Sequence, residues 1–225
     1  MHETTAETDR VRIAANGVTL DGDLVIPAGA TGVAIFAHGS GSSRFSPRNR
    51  MVAGELNRAG IATLLVDLLT PAEEEDDRRT ARLRFDIPLL ARRLVQVTDW
   101  VEGQPATARL AVGYFGASTG AAAALIGAAL RPHRVVAVVS RGGRPDLAAE
   151  ALSRVRAATL LIVGGADVEV LFLNRQALQA IRAEKQLDVV EGATHLFEEL
   201  GALEQVAALS SEWLRSHFPP PASRG

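Results

Sequence analysis

Gly116-Ala-Ser-Thr-Gly120 sets a serine between two glycines, and the flanking residues give that spacing a meaning. Leu110 to Phe115 is an apolar run, polar before it and glycine after it, and reads as a buried strand. Ala121 to Leu130 is rich in alanine and leucine and reads as a buried helix. G-x-S-x-G between strand and helix is the context of a nucleophile elbow, a turn that lifts the serine hydroxyl clear of the backbone. Glycines at 116 and 120 let the two elements pack closely. The same five residues alone, in an alanine-rich chain, would equally be a packing turn. The flanking elements favour Ser118 as a nucleophile. A neutral hydroxyl attacks poorly near neutral pH, so it needs a base, and the base needs an acid to orient it.

The elements that must bring those partners together alternate along the chain. Val11–Ala14 and Val18–Ile26 flank Asn16-Gly17, a hairpin signal. Val33–Ala37, Ala62–Val66, Val135–Val139, Leu160–Val163 and Leu187–Val190 are short apolar runs, as expected of strands covered on both faces. Helical patterns separate them: about Asn49–Ala59, Pro88–Val101, Pro145–Leu152, Leu171–Ile181, and a closing helix from Leu196 to about His217. Leu68–Arg84 reads as a loop, and its run Glu73–Asp77 as a solvated stretch or a flap. The pattern predicts an α/β fold: a mostly parallel, twisted sheet with helices on both faces and an antiparallel N-terminal hairpin. The expected organisation is a flexible N-terminus over 1–10, one domain over 11–218 and a flexible tail over 219–225.

In such a sheet, functional residues gather at the carboxyl ends of the strands. Those ends carry His38, Ser40, Asp67, Ser118, Arg141, Asp167 and His195. His195 is the natural base and Asp167 the natural acid, in the order Ser118, Asp167, His195. Glu169, Asp67 and Asp146 compete as the acid, and His38 as the base. Arg44, Arg48, Arg50 and Arg141 are either salt-bridge anchors or receptors for an acidic substrate, Arg141 being the nearest to the elbow. His38 and Arg141 are candidate pocket residues.

Composition excludes several classes. The chain has 225 residues, 47% apolar and 22% charged, with a net charge of −2. That balance carries no electrostatic footprint for nucleic acid. There is no cysteine, which removes disulfides, thiolate metal sites and thiol catalysis and fits a reducing, cytoplasmic setting. No apolar run reaches the roughly 18 residues of a membrane span. The glycine–serine loop after His38 lacks the lysine of a phosphate-binding loop. No metal or cofactor is expected.

Phe36-Ala-His-Gly-Ser-Gly41, Gly116-Ala-Ser-Thr-Gly120, Gly164-Gly-Ala-Asp167 and Ala193-Thr-His195 together resemble the α/β-hydrolase superfamily, and within it the small dienelactone hydrolase-related proteins. The resemblance runs from about Val18 to Phe218. Dienelactone hydrolases proper use a cysteine nucleophile, so a serine at 118 resembles the serine-bearing branch. The resemblance implies an α/β-hydrolase fold without a large cap domain and hydrolysis of a small ester or lactone by Ser118, Asp167 and His195. It also implies an oxyanion hole made by the backbone N–H groups of Ser40 and Thr119, with His38 shaping the loop beside it. Domains of this kind also occur beside phosphoribosyltransferase domains, so a binding or regulatory module is a second expectation. Acyl transfer by the same triad is a third.

Overall fold

The computed structural model describes residues 7–15 and 17–220. Among these residues eight strands form one sheet, in the order β1-β2-β4-β3-β5-β6-β7-β8. Strands β1 (Thr8–Ala15) and β2 (Val18–Val25) form an antiparallel pair, and β2 also runs antiparallel to β4 (Ala62–Val66). The remaining pairings are parallel: β4 with β3 (Gly32–Ala37), then β5 (Ala111–Ala117), β6 (Val135–Arg141), β7 (Ala158–Gly164) and β8 (Lys185–Val190). The expected α/β-hydrolase architecture is therefore present. Every residue of β3, β4 and β7 is buried, which is why those stretches are apolar without alternation. Strand β1 begins at Thr8, within the segment expected to be flexible, because Thr8–Arg10 pair with Asp23–Val25. Asn16 of the hairpin signal, residues 1–6 and the tail from 221 onward lie outside the described residues.

Two apolar layers sandwich the sheet. On one face α1 (Pro47–Arg58) and α7 (Ala202–His217) bury Val52, Leu56, Val206 and Leu214 against Phe36, Phe115 and Val139. On the other face lie α3 (Ile87–Gly103), α4 (Thr119–Leu130), α5 (Ala149–Leu152, after a 3-10 turn over Pro145–Ala148) and α6 (Val168–Ala180). Helix α4 is apolar all round and almost wholly buried, as an inner helix must be. Its alanines keep it thin, so α3 and the sheet both approach it closely.

Helix boundaries follow local chemistry. Helix α1 starts two residues earlier than the periodicity suggests, because the Ser46 hydroxyl accepts from the Asn49 N–H and Pro47 fits the first turn. Helix α7 starts later than expected. Phe197 and Gly201 adopt φ of 56° and 79°, so the apolar stretch from Leu196 does not join the helix. No helix among the described residues is long and apolar enough to cross a membrane.

The stretch Leu68–Arg84 corrects the expected loop. Pro71–Thr80 forms helix α2, started by a capping box in which Thr70 and Glu73 satisfy each other's backbone N–H. Acidic residues open the helix and Arg78 and Arg79 close it, matching its dipole. The run Glu73–Asp77 is thus neither a solvated loop nor a free flap. Glu73 receives both Nη atoms of Arg93, at 2.8 and 2.6 Å, and Arg93 also donates to the Leu68 carbonyl at 2.7 Å. Arg93 is 2% exposed, so Glu73 is its counter-charge in a dry setting. Burial pushes the Glu73 pKa up, but the bonds from Arg93 and Thr70 outweigh it and hold it below the ordinary range.

A second tie joins the ends of β3 and β4. The His38 ring follows β3, its Nδ1 lying 3.0 Å from the Gly39 carbonyl and its Nε2 3.1 Å from the Leu68 N–H. An N–H facing Nε2 assigns the proton to Nδ1, so this imidazole is neutral. Burial drives its pKa down, against upward pulls from the Gly39 carbonyl and Asp67.

Two outcomes follow from these ties. Glu73→Ala should strand the Arg93 charge and cost about 3 kcal/mol, seen as a lower urea midpoint with an unchanged slope. His38 has a folded pKa below its unfolded value of about 6.5, so its contribution is full above that pH and is lost as pH falls through the folded pKa. Between pH 7 and pH 5.5 the wild type should lose more stability than His38→Gln, which keeps an acceptor for Leu68. Parallel pH profiles of the two proteins would remove His38 as the cause.

Candidate active site

Ser118 sits between β5 and α4 with φ 50° and ψ −121°. A side chain in that region is strained, typically by about 1–3 kcal/mol, and persists only where surroundings enforce it. The bracing is visible on both sides of the residue. The Ser118 N–H donates to the Arg141 carbonyl at the end of β6 (3.2 Å), and its own carbonyl accepts from the N–H groups of Ala121 and Arg144 (3.1 Å each). The glycines leave no alternative packing. A Cβ at Gly116 would lie 2.4 Å from the Ala121 Cα, and one at Gly120 2.1 Å from the Ala37 carbonyl oxygen.

His195 and Asp167 come from two loops stitched together at the ends of β7 and β8. The Gly165 N–H donates to the Val190 carbonyl (2.8 Å), and the Ala166 N–H to the Ala193 carbonyl (3.0 Å). A Cβ at Gly164 would lie 2.3 Å from that same Ala193 oxygen, so the loops meet backbone to backbone. Asp167 Oδ2 lies 2.7 Å from His195 Nδ1. Its competitors are otherwise engaged. Asp67 accepts from the backbone and guanidinium of Arg44, and Asp146 holds Arg144 in a two-bond pair at 2.8 and 2.7 Å. Glu169 is exposed on the first turn of α6. Among the described residues neither the Ser118 hydroxyl nor His195 Nε2 has a hydrogen-bond partner.

The loop after β3 carries a contact between residues 79 apart. The Ser40 N–H donates to the Thr119 hydroxyl at 2.9 Å. The donor expected to face an oxyanion is thus turned onto the side chain of the residue that follows Ser118. Gly39 lies close by, where a Cβ would stand 3.1 Å from the Ser118 Cβ. His38 is buried behind this loop with both ring nitrogens bonded, and it borders a cavity of about 200 Å³ shared with Ser40, Leu69, Glu74, Arg84 and Leu90.

The arginines divide into two groups. Arg44 pairs with Asp67 and Asp23, Arg50 pairs with Asp23, and both lie over the Phe45 ring. Arg48 reaches Glu198 at 3.2 Å. Arg141 is 8% exposed, and its guanidinium has no hydrogen bond or ion pair among the described residues. Burial, with the Arg48 charge adding to it, lowers its pKa to about 10. Three contributors escape sequence reasoning. Phe197, buried at φ 56°, anchors the loop that carries His195; the Thr119 hydroxyl holds Ser40; and the Arg144 N–H braces the elbow. No spacing rule signals any of them. Among the described residues no cluster of three or more histidine or carboxylate side chains is placed to hold a metal ion.

No family model matches the chain. Two Mycobacterium tuberculosis proteins, from strains CDC 1551 and H37Rv and provisionally named phosphoribosyl transferases, are 56% identical over 217 residues. That match takes in 96% of this chain but 48% of theirs, so the chain spans about half the length of these curated relatives. Among solved structures, Est1E from Butyrivibrio proteoclasticus has a TM-score of 0.78 at 14% identity, covering 92% of this chain and 98% of that one. A lid-free α/β serine hydrolase from Xanthomonas campestris has a TM-score of 0.76 at 21% identity, covering 95% and 96%. At those identities the likeness is one of fold. The dienelactone hydrolase from Anabaena variabilis is closer in sequence: 58% identical, TM-score 0.94, covering 96% of this chain and all of that one. With that identity over a whole relative, and with the elbow and loops described above, the chain belongs to the dienelactone hydrolase-related group of the α/β-hydrolase superfamily.

Proposed function

We propose that this protein is a serine hydrolase that cleaves a small carboxylic ester or lactone through an acyl-enzyme on Ser118. The observation that carries the reading is the 2.7 Å contact between Asp167 and His195 at the ends of β7 and β8, with β6 between these strands and the one that leads into a strained, braced serine. In this reading His195 Nε2 takes the proton from the Ser118 hydroxyl as the oxygen attacks the carbonyl carbon. Asp167 holds Nδ1–H and stabilises the imidazolium. The tetrahedral adduct collapses, and the leaving alkoxide takes the proton from Nε2. Water then enters, gives a proton to His195 Nε2 and attacks the acyl carbon; the adduct collapses, the acid leaves, and the proton on Nε2 returns to the Ser118 oxygen. In a lactone the leaving alkoxide stays attached to the acyl chain.

Negative charge gathers on the carbonyl oxygen only in the adduct, so donors aimed there lower the barrier. Thr119 supplies one through its N–H, aided by the N-terminal end of α4. The second donor is expected from Ser40. Its N–H is held by the Thr119 hydroxyl, and that hydroxyl keeps a proton of its own to give. We therefore assign Thr119 two donations, amide and hydroxyl, the second held in place by Ser40.

Two further readings keep their place. The tuberculosis relatives are about twice this length, so a segment like this one stands there beside further chain, and a binding or regulatory role is the second reading. Acyl transfer would use the same triad with an alcohol in place of water. A cytoplasmic setting belongs to the proposal as well.

Ser118→Ala should cut turnover of a short activated ester by about 10⁴-fold or more while leaving the melting temperature within a few degrees, and it should abolish labelling by a fluorophosphonate. Retained turnover would sink the nucleophile assignment. Asp167→Asn should lower kcat by roughly 10⁴-fold, since the imidazole loses its orienting charge. Thr119→Val should lower kcat by roughly 10²–10³-fold, with Thr119→Ser restoring most of it. If Thr119→Val is as fast as wild type, the Ser40 amide alone is the second donor. Products formed in the presence of added alcohols separate transfer from hydrolysis.

A further inference from the structure

Arg141 is the last residue of β6, and its carbonyl receives the N–H of Ser118. Side chains alternate along the strand. Ala137 and Val139 belong to the apolar layer under α1 and α7, so Arg141 points to that same side. Ser140 points the other way, toward Gly143 and Ala121. Arg48 stands in the first turn of α1, one turn before Val52 of that layer. The two arginines therefore occupy one layer at the carboxyl end of the sheet. The next residue, Gly142, touches the site directly, since a Cβ there would lie 3.6 Å from the His195 Cε1.

A buried charge without a counter-charge is costly, and proteins ordinarily pair it. This chain does so repeatedly: Arg93 with Glu73, Arg44 with Asp67, Arg84 with Asp77. Arg141 departs from that habit. Its Nη1 is fully enclosed with no acceptor, no carboxylate lies within ion-pair reach among the described residues, and the charge acting on it is the positive one of Arg48. Arg48 itself has a buried Nε without an acceptor, and its one partner, Glu198, is largely exposed. Both guanidinium groups thus present donors that no described residue satisfies.

We propose that Arg141 and Arg48 form an anion subsite beside the elbow, receiving an oxyanion head group, a phosphate or a carboxylate, carried by the ester substrate. The inference rests on the hydrolase reading for the word substrate; the binding of the anion does not. A guanidinium matches either head group with two parallel N–H···O bonds. A phosphate, with a charge near −2, neutralises both arginines, whereas a carboxylate neutralises one.

The test uses Ser118→Ala to separate binding from turnover. That protein, alone and with Arg141→Met or Arg48→Gln added, is titrated calorimetrically with inorganic phosphate and with acetate at fixed ionic strength. Saturable binding that weakens roughly tenfold or more with Arg141→Met, and less with Arg48→Gln, is the expected result. Phosphate binding more tightly assigns a phosphate head group; acetate binding more tightly assigns a carboxylate. Equal affinity with and without Arg141, or no saturable binding of either anion, overturns the subsite. Removing an unpaired buried charge tends to leave a fold intact or stabilise it, so Arg141→Met should melt no lower than its parent. Should it fail to fold, Arg48→Gln and Arg141→Lys carry the same comparison.

A second readout is the ratio of kcat/KM for an anionic ester to that for a neutral ester of equal size. Wild type should favour the anionic ester, with the preference in KM, and Arg141→Met should lose it. No preference in the wild type overturns the substrate assignment, even where neutral esters are cleaved. Absence of both neutral-ester cleavage and fluorophosphonate labelling strikes instead at the hydrolase reading, and the calorimetry still decides the anion site.

Discussion

Backbone meeting backbone without side chains between is the constraint on which this site depends. At Gly120 the first turn of α4 is pressed against the carbonyl ends of β3, and at Gly164 the acid loop is pressed against the histidine loop. These contacts leave no room for a methyl group. They fix the distance between the strand that carries Ser118 and the loop that carries Ser40, and between Asp167 and His195. The strain at Ser118 is sustained by the same arrangement, since three main-chain hydrogen bonds close around it from β6, α4 and the loop after β6. The candidate side chains at Ser118 and Asp167 are short, and short side chains can be placed only by a backbone this closely held.

Electrostatics shapes the rest of the rim. The carboxyl ends of β3, β4 and β6 gather many arginines for a chain of net charge −2. Most are matched by a carboxylate at close range, and the matching does structural work. Glu73 joins the capping of α2 to the buried Arg93 of α3, so one carboxylate starts a helix and neutralises a core cation. Asp77 does the like for Arg84, accepting also from the amides of Leu83 and Arg84. Asp77 and Arg84, two wall residues of the small cavity, are therefore anchored to each other.

The sheet was legible because strands buried on both faces must be apolar throughout, and Val33–Ala37, Ala62–Val66 and Leu160–Val163 are so. The triad candidates were legible because their residue types stand at strand ends in a fixed order. Helix α2 was not. A run of five carboxylates reads as solvated when its partners, Arg93 and Arg84, are distant or hidden in the chain. Yet Thr70-Pro71-Ala72-Glu73 is a helix start by local chemistry alone. The beginning of α7 is not legible because Leu196–Leu200 continues the apolar pattern, while Phe197 takes a left-handed conformation that composition does not announce. The Ser40–Thr119 contact and the solitude of Arg141 are tertiary facts, set by which residues fail to arrive as much as by those that do.

Among the described residues the sheet has two open margins, and both bear charge. Strand β1 carries Asp9, Arg10 and Arg12 along its length, and β8 opens with the exposed Lys185 and carries Asp188. A further strand laid against either margin would have to accommodate those groups, which works against edge-to-edge association.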